Sequence, residues 1–270
     1  MGEAAGEFSG SDGARLWGRM TVEELRERLK ETQTAIIPTG CTEQHGYHLP
    51  ILVDSITAYE VAVGTSKATG CFVLPPLHYS FSGGGLPGTV DLSPGLTAAV
   101  LTELGGSLAR QGVRNIILLH GHCGTESIQA HREAIPMLYR LAPEAHLATV
   151  PIYKLSQTWR AAVQEKDYHA GFIETSLILY LRPELVKDRS KWLVDAQDAK
   201  ALPDQDAWAE TVYESQNELV VPFRRMKSHV KIGVWGDPGC STTALGEKVF
   251  DECVAAMVTL VEDMQASGKL

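Results

Sequence analysis

The apolar residues of this chain fall into short continuous runs separated by longer stretches with helical spacing. Ala35-Ile36-Ile37-Pro38, Cys71-Phe72-Val73-Leu74, Asn115 to Leu119 and His146 to Val150 are too short for helices and apolar on consecutive residues, the pattern of strands covered on both faces. Thr21-Val22-Glu23-Glu24 is a capping box that opens an amphipathic helix to about Lys30, with Leu25 and Leu29 on its packed side. Ser55 to Lys67 predicts a helix with Ile56, Tyr59 and Val63 on one apolar face. Ser93-Pro94 opens another to about Arg110, closed by Gly112. Further helices are predicted from about Thr125 to Arg140, from about Glu174 to just before Pro183, and from Thr243 to about Gln265. Residues 190–222 show little periodicity, and Gly233 to Gly239 reads as a turn shaped by Asp237-Pro238. Strands alternating with helices imply one three-layer α/β/α domain with a mainly parallel sheet. Residues 1–15, acidic and glycine-rich, read as a flexible tail without a secretory core, which leaves 16–270 for the domain.

Composition narrows the partners. A chain of 270 residues suits one large α/β domain. The net charge of −9, with no basic stripe interleaved with aromatics, excludes nucleic acid from the expectations and favours a small-molecule substrate. Five scattered cysteines without a C-x-x-C spacing point to reduced thiols in a cytoplasmic protein. No apolar run approaches the roughly 20 residues that span a bilayer, so no membrane is expected either.

The chemistry gathers around Thr39 to Asp54. Glu43, His45, His48 and Asp54 stand there in a glycine-flanked loop after an apolar strand. Glu43 and His45 are two apart and leave extended backbone on the same face. Asp54 falls at a helix start, where it is either a site residue or an N-cap, and His48 is either a site residue or a packed loop histidine. Carboxylate and imidazole converging from separate segments suit Zn²⁺ or Mn²⁺. His120 and His122 follow the most apolar strand, at the edge where open α/β sheets place ligands. One of them at most is expected to bind metal, and the other to orient a neighbour. His131, mid-helix, reads as a surface residue. His169 and Glu174 sit at a loop-to-helix entry, where the dipole favours negative charge. The glycine-rich loop His78 to Thr89 lacks the Gly-Lys-Ser/Thr of a P-loop and is either a lid lining the substrate or a wide turn.

With these motifs in place the chain resembles the creatininase family of metal-dependent amidohydrolases. Thr39 to Asp54 is similar to its E-x-H-G-x-H-x-P-x-x-x-D element, Leu86-Pro87-Gly88-Thr89 to its F-P-G-T loop, and His120 to Gly124 to its N-G-H-G-G segment. His169-Ala170-Gly171 with Glu174-Thr175-Ser176 resembles its H-A-G-x-x-E-T-S motif, and Gly233 to Pro238 its G-x-x-G-D-P turn. The resemblance implies that Glu43 and His122 bind one divalent ion, that His45 binds a second, and that Asp54 bridges both. The ions would be zinc, manganese or iron. Creatininase adds a glutamate two residues after the histidine matched by His122; here that residue is Gly124, and Glu174 is the candidate replacement. His169 matches a histidine that contacts substrate and is thought to shuttle a proton. Ser82, His120 and Cys123 are candidates for substrate contact. Cys123 stands where creatininase has a tyrosine, and Glu165-Lys166 where it has Trp-Asp, which argues against creatinine itself.

The expected function is therefore hydrolysis of a small cyclic amide or related C–N bond by a metal-activated water, with His169 protonating the leaving nitrogen and Glu174 beside it. Ring-opening C–C hydrolysis of a cyclic diketone, deformylation of a formamide and peptide cleavage are alternatives, and a metal-binding scaffold is the non-enzymatic one. The family resemblance also implies a homo-oligomer, a hexameric ring.

Overall fold

The computed structural model describes residues 13–83, 85–192, 209–213, 216–217, 219, 223–226 and 232–267. Its centre is a parallel five-stranded sheet of β1 (Arg15–Leu16), β2 (Thr34–Thr39), β3 (Phe72–Val73), β4 (Asn115–His120) and β5 (His146–Pro151), in the order β1-β3-β2-β4-β5. The helices are α1 (Val22–Leu29), α2 (Val53–Thr69), α3 (Pro94–Arg110), α4 (Thr125–Leu141), α5 (Gln157–Gln164), α6 (Phe172–Leu181) and α7 (Thr243–Ser267). Alternation along β4 explains the continuous apolar run, because successive side chains enter opposite cores. Ile117 and Leu119 pack with residues of α2, α6 and α7, whereas Ile116 and Leu118 pack with residues of α3 and α4. The three-layer α/β/α expectation holds, and no helix of the described residues is long and apolar enough to cross a membrane.

The capping box forms: Thr21 Oγ1 accepts the Glu24 N–H and Glu24 accepts the Thr21 N–H. Ser93 caps α3 as expected, and Asp237 shapes its turn by accepting the Gly239 N–H. Four expectations need correction. The tail cannot extend to residue 15, because Arg15 and Leu16 pair with Phe72 and Val73 and the Arg15 N–H donates to Ser66 Oγ; residues 1–12 lie outside the described residues. Helix α2 is not apolar on one face only. It is buried nearly all round, since α7, far away in sequence, covers the side turned from the sheet. Helix α5, capped by Ser156, was not predicted. The 190–222 stretch, part of which (193–208) lies outside the described residues, contains strand β6 (Ala209–Tyr213), paired antiparallel with β7 (Phe223–Met226).

Candidate metal centre

The C-terminal ends of β2 and β4 both meet the first turn of α2. Residue 121 must be small there, because a Cβ on Gly121 would stand 2.1 Å from the Asp54 carbonyl oxygen. Asp54 is the second residue of α2 and does not cap it; Leu52 holds the cap position without a side-chain bond. The carboxylate is thus left for other partners, at a helix end whose dipole favours its charge. The Glu43–Ile51 loop is closed by the Glu43 N–H on the Ile51 carbonyl (3.0 Å), with Gly46 at φ 68°. His45 Nδ1 donates to the Glu43 carbonyl (3.0 Å), which fixes the ring tautomer and turns the Nε2 lone pair toward the carboxylates.

His45 Nε2 lies 3.3 Å from Asp54 Oδ1 and 3.6 Å from Glu174 Oε2. His122 Nδ1 lies 2.9 Å from Glu43 Oε2 and 3.3 Å from Asp54 Oδ2. Two three-residue sets result, Glu43–Asp54–His122 and His45–Asp54–Glu174, each with its ligand atoms within 4.8 Å of one another and Asp54 common to both. Glu43, His45 and His169 form a third overlapping set. The residues fit a cation: Glu43 Oε2, His45 Nε2 and Asp54 Oδ2 are buried and, among the described residues, face one another and His122 without a well-aligned hydrogen bond, a costly arrangement unless something binds them. A donor set of carboxylate oxygens and imidazole nitrogens is one that Zn²⁺ and Mn²⁺ accept.

The electrostatics also call for positive charge. Burial works against a protonated His45, yet Asp54 and Glu174 outweigh it and raise the pKa to about 10. Burial also opposes charge on His122, but Glu43 and Asp54 hold it well above the usual imidazole value. Glu174 is raised to about 7 by burial, against the pull of His45. His169 goes the other way, down to about 4, through burial and the neighbouring His45.

Glu174 is the third residue of α6: it faces His45, and its Oε2 accepts the Ala170 N–H at 2.5 Å, as an acidic residue in a first helical turn does. His169 Nε2 donates to the Gln44 carbonyl (2.7 Å), placing Nδ1 4.0 Å from Glu43 Oε2, while its ring lies 4.2 Å from that of His45. His48 stays outside the sets; it is fully buried and joins its loop to α6 through Nε2 and Thr175 Oγ1 (2.9 Å).

The reading of His131 as a surface residue is overturned. It is fully buried, its Nδ1 donates to the Ser127 carbonyl, and its ring stacks on His120 at 4.1 Å. His120 lies on the α4 face of the sheet, bonded to Thr149 Oγ1 (3.2 Å), and belongs to none of the ligand sets. Cys123 packs against the α2 side of the core, with Sγ toward the His120 carbonyl and its thiol pushed up to about 12 by burial. Ser82 is bonded to Asp91 through both N–H and Oγ. One residue escaped the sequence reading. Asp167 is buried, with its two oxygens on the N–H groups of Phe172 and Ile173, and burial lifts its carboxyl to about 6 although those N–H groups oppose it. The only available signal was an acidic residue shortly before a helix.

A family model, Creatininase (creatinine amidohydrolase), matches residues 18–261. A 3-dehydro-scyllo-inosose hydrolase of Thermotoga maritima is 31% identical over 201 residues, covering 68% of this chain and 61% of that protein. A mycofactocin precursor peptide peptidase of Mycolicibacterium smegmatis is 31% identical over 232 residues, 81% and 80% of the two chains. A creatinine amidohydrolase of Pseudomonas putida is 30% identical over 191 residues, 63% and 72%. Among solved structures, a manganese form of creatininase superposes with a TM-score of 0.71 at 23% identity, over 93% of this chain and 98% of that one. A Zn-Zn form of a creatininase variant gives 0.72 at 22% identity over the same shares, so the fold is shared.

Proposed function

The chain belongs to the creatininase family of hydrolases, and from that premise we propose that it opens a small cyclic amide or a related C–N bond with the help of two divalent ions. The observation that carries this reading is the pair of three-residue sets sharing Asp54. Glu43 and His122 would hold one ion, His45 and Glu174 the other, and Asp54 both. Bound zinc, manganese or iron supplies Lewis acidity for a carbonyl oxygen and lowers the pKa of water toward neutrality.

The protein's own part is orientation and proton movement. His169, neutral at pH 7 and tethered by the Gln44 carbonyl, presents Nδ1 beside Glu43. From there it can take a proton from the attacking water and return it to the leaving nitrogen. Glu174 assists by carrying charge next to His45. Of the three residues expected at the substrate, Ser82 keeps that role by fixing its loop to Asp91, whereas His120 and Cys123 face the two cores of the sheet and are assigned no substrate contact.

Ring-opening C–C hydrolysis of a cyclic diketone is the second reading, favoured by the similarity to the inosose hydrolase. Similarity to the peptidase keeps a peptide or formamide bond as a third. The carboxylates and imidazoles buried together with His169 weigh against a mere scaffold. The same proposal includes a cytoplasmic homo-oligomer, a hexamer, which light scattering would measure. The deciding experiment is metal analysis joined to a screen of lactams, imides, formamides, short peptides and cyclic ketones. Chelation is expected to abolish turnover and Zn²⁺ or Mn²⁺ to restore it; full activity of metal-free protein overturns the reading.

A further inference from the structure

Asp167 is 4% exposed and lies beneath the turn that carries His169. Its Oδ1 accepts the Phe172 N–H (2.9 Å) and its Oδ2 the Ile173 N–H (3.0 Å), so it caps α6 from a distance while the residue in the cap position, Gly171, offers no side chain. The carboxylate fills the space that two glycines leave. A Cβ on Gly171 would stand 1.8 Å from Oδ1, and one on Gly236 2.0 Å from it. Gly236 follows Trp235, whose backbone pairs with His169 in both directions (2.6 and 3.1 Å) and accepts the Tyr168 N–H (2.8 Å). One carboxylate therefore touches the start of α6, the His169 turn and the segment paired to that turn.

The turn is held in an unusual shape. Lys166 and Ala170 have φ of 66° and 51°, a region that side-chain-bearing residues rarely occupy. Ala170 in that conformation points its N–H at Glu174 Oε2. We infer that Asp167 is a positioning residue for the metal centre: it holds residues 167–173 in the shape that turns His169 toward Glu43 and Glu174 toward His45, without itself touching ion or substrate. The inference rests on the reading of Glu174 as a ligand and of His169 as a proton carrier. It differs from that reading in naming what sets their geometry.

The test compares Asp167→Asn with Ser156→Ala. Ser156 caps α5 through the Trp159 N–H and donates its hydroxyl to Glu252 of α7 (2.6 Å), away from the ligand sets, so its loss weakens local structure without touching the metal centre. Metal-free full-length proteins are titrated with Zn²⁺, and the His169 ring signals are followed by ¹H–¹⁵N NMR, assigned with His169→Gln. Asp167→Asn is expected to weaken, tenfold or more, the same Zn²⁺ step that Glu174→Gln weakens, with the double variant no weaker than Glu174→Gln alone. It is also expected to shift the His169 signals, while Ser156→Ala lowers Tm and moves neither readout. Asp167→Asn behaving like Ser156→Ala overturns the inference. If Glu174→Gln leaves both Zn²⁺ steps intact, the ligand reading has failed, and the His169 signals alone decide the inference. Asp167→Ser, which retains one acceptor, serves if Asp167→Asn does not fold; loss of fold in both also overturns it, since Asp167 would then be a folding residue only.

Discussion

The His122 ring lies so close to Gly124 that a Cβ on residue 124 would stand 2.6 Å from Nε2. The space from which creatininase is thought to add its glutamate is therefore occupied by an imidazole that already faces Glu43 and Asp54. Gly124→Glu should not complete the second ligand set. It should push His122 aside and cost one metal per chain, with at least a tenfold loss of affinity, the scale seen when ligand orientation is disturbed. Gly124→Ala should act in the same direction without added charge. Elemental analysis showing two ions at undiminished affinity in Gly124→Glu would refute the steric argument.

Asp54→Ala should be worse for metal content than His45→Ala. Asp54 faces His45 through Oδ1 and His122 through Oδ2, so its loss opens both of the sets that share it, whereas His45→Ala leaves Glu43–Asp54–His122 whole. Metal per chain after gel filtration separates the two; equal retention in both variants would mean Asp54 does not bridge.

Creatinine should be a poor substrate. Glu165 and Lys166 are exposed, and Cys123 is turned to the sheet core, where a flat ring would need aromatic surfaces. Turnover at ordinary enzymatic rates, roughly 1 to 1,000 per second, would contradict this.

Stability should fall with acid through His131. Burial depresses its pKa from 6.5 to about 4. The stability this neutral ring contributes is complete above pH 6.5 and is lost as pH falls from there toward 4, because only the unfolded chain takes up the proton readily. Between pH 7.5 and 5 the group should cost about 2 kcal/mol. Urea unfolding at the two pH values should show the difference in the native chain and a smaller one in His131→Leu; an equal difference in both would exclude His131 as the source.

Much of the fold was legible along the chain. The strands could be read because a strand packed on both faces is apolar at every position, and the caps of α1 and α3 because capping chemistry lies within four residues. Glu43, His45, Asp54 and His122 were legible as ligand types at the ends of those strands and at a helix start. The hairpin of β6 and β7 was not, since nothing in 190–222 alternates clearly enough to mark it.

What the sequence determined by itself is local: which residues are helical or extended, and which side chains could bind a metal. Tertiary structure decided which of them meet. His131 sits among polar residues in sequence, but the crossing of α4 over β4 places it on His120. Asp54 had two readings until the ends of β2 and β4 converged on the first turn of α2 and gave its oxygens histidine partners. Asp167 escaped notice because its partners are backbone N–H groups, which every residue but proline carries, so no spacing of residue types can reveal them. Side-chain chemistry is written in the residue, whereas proximity arises from chain reversals that bring positions more than a hundred residues apart, such as His45 and Glu174, within ligand distance.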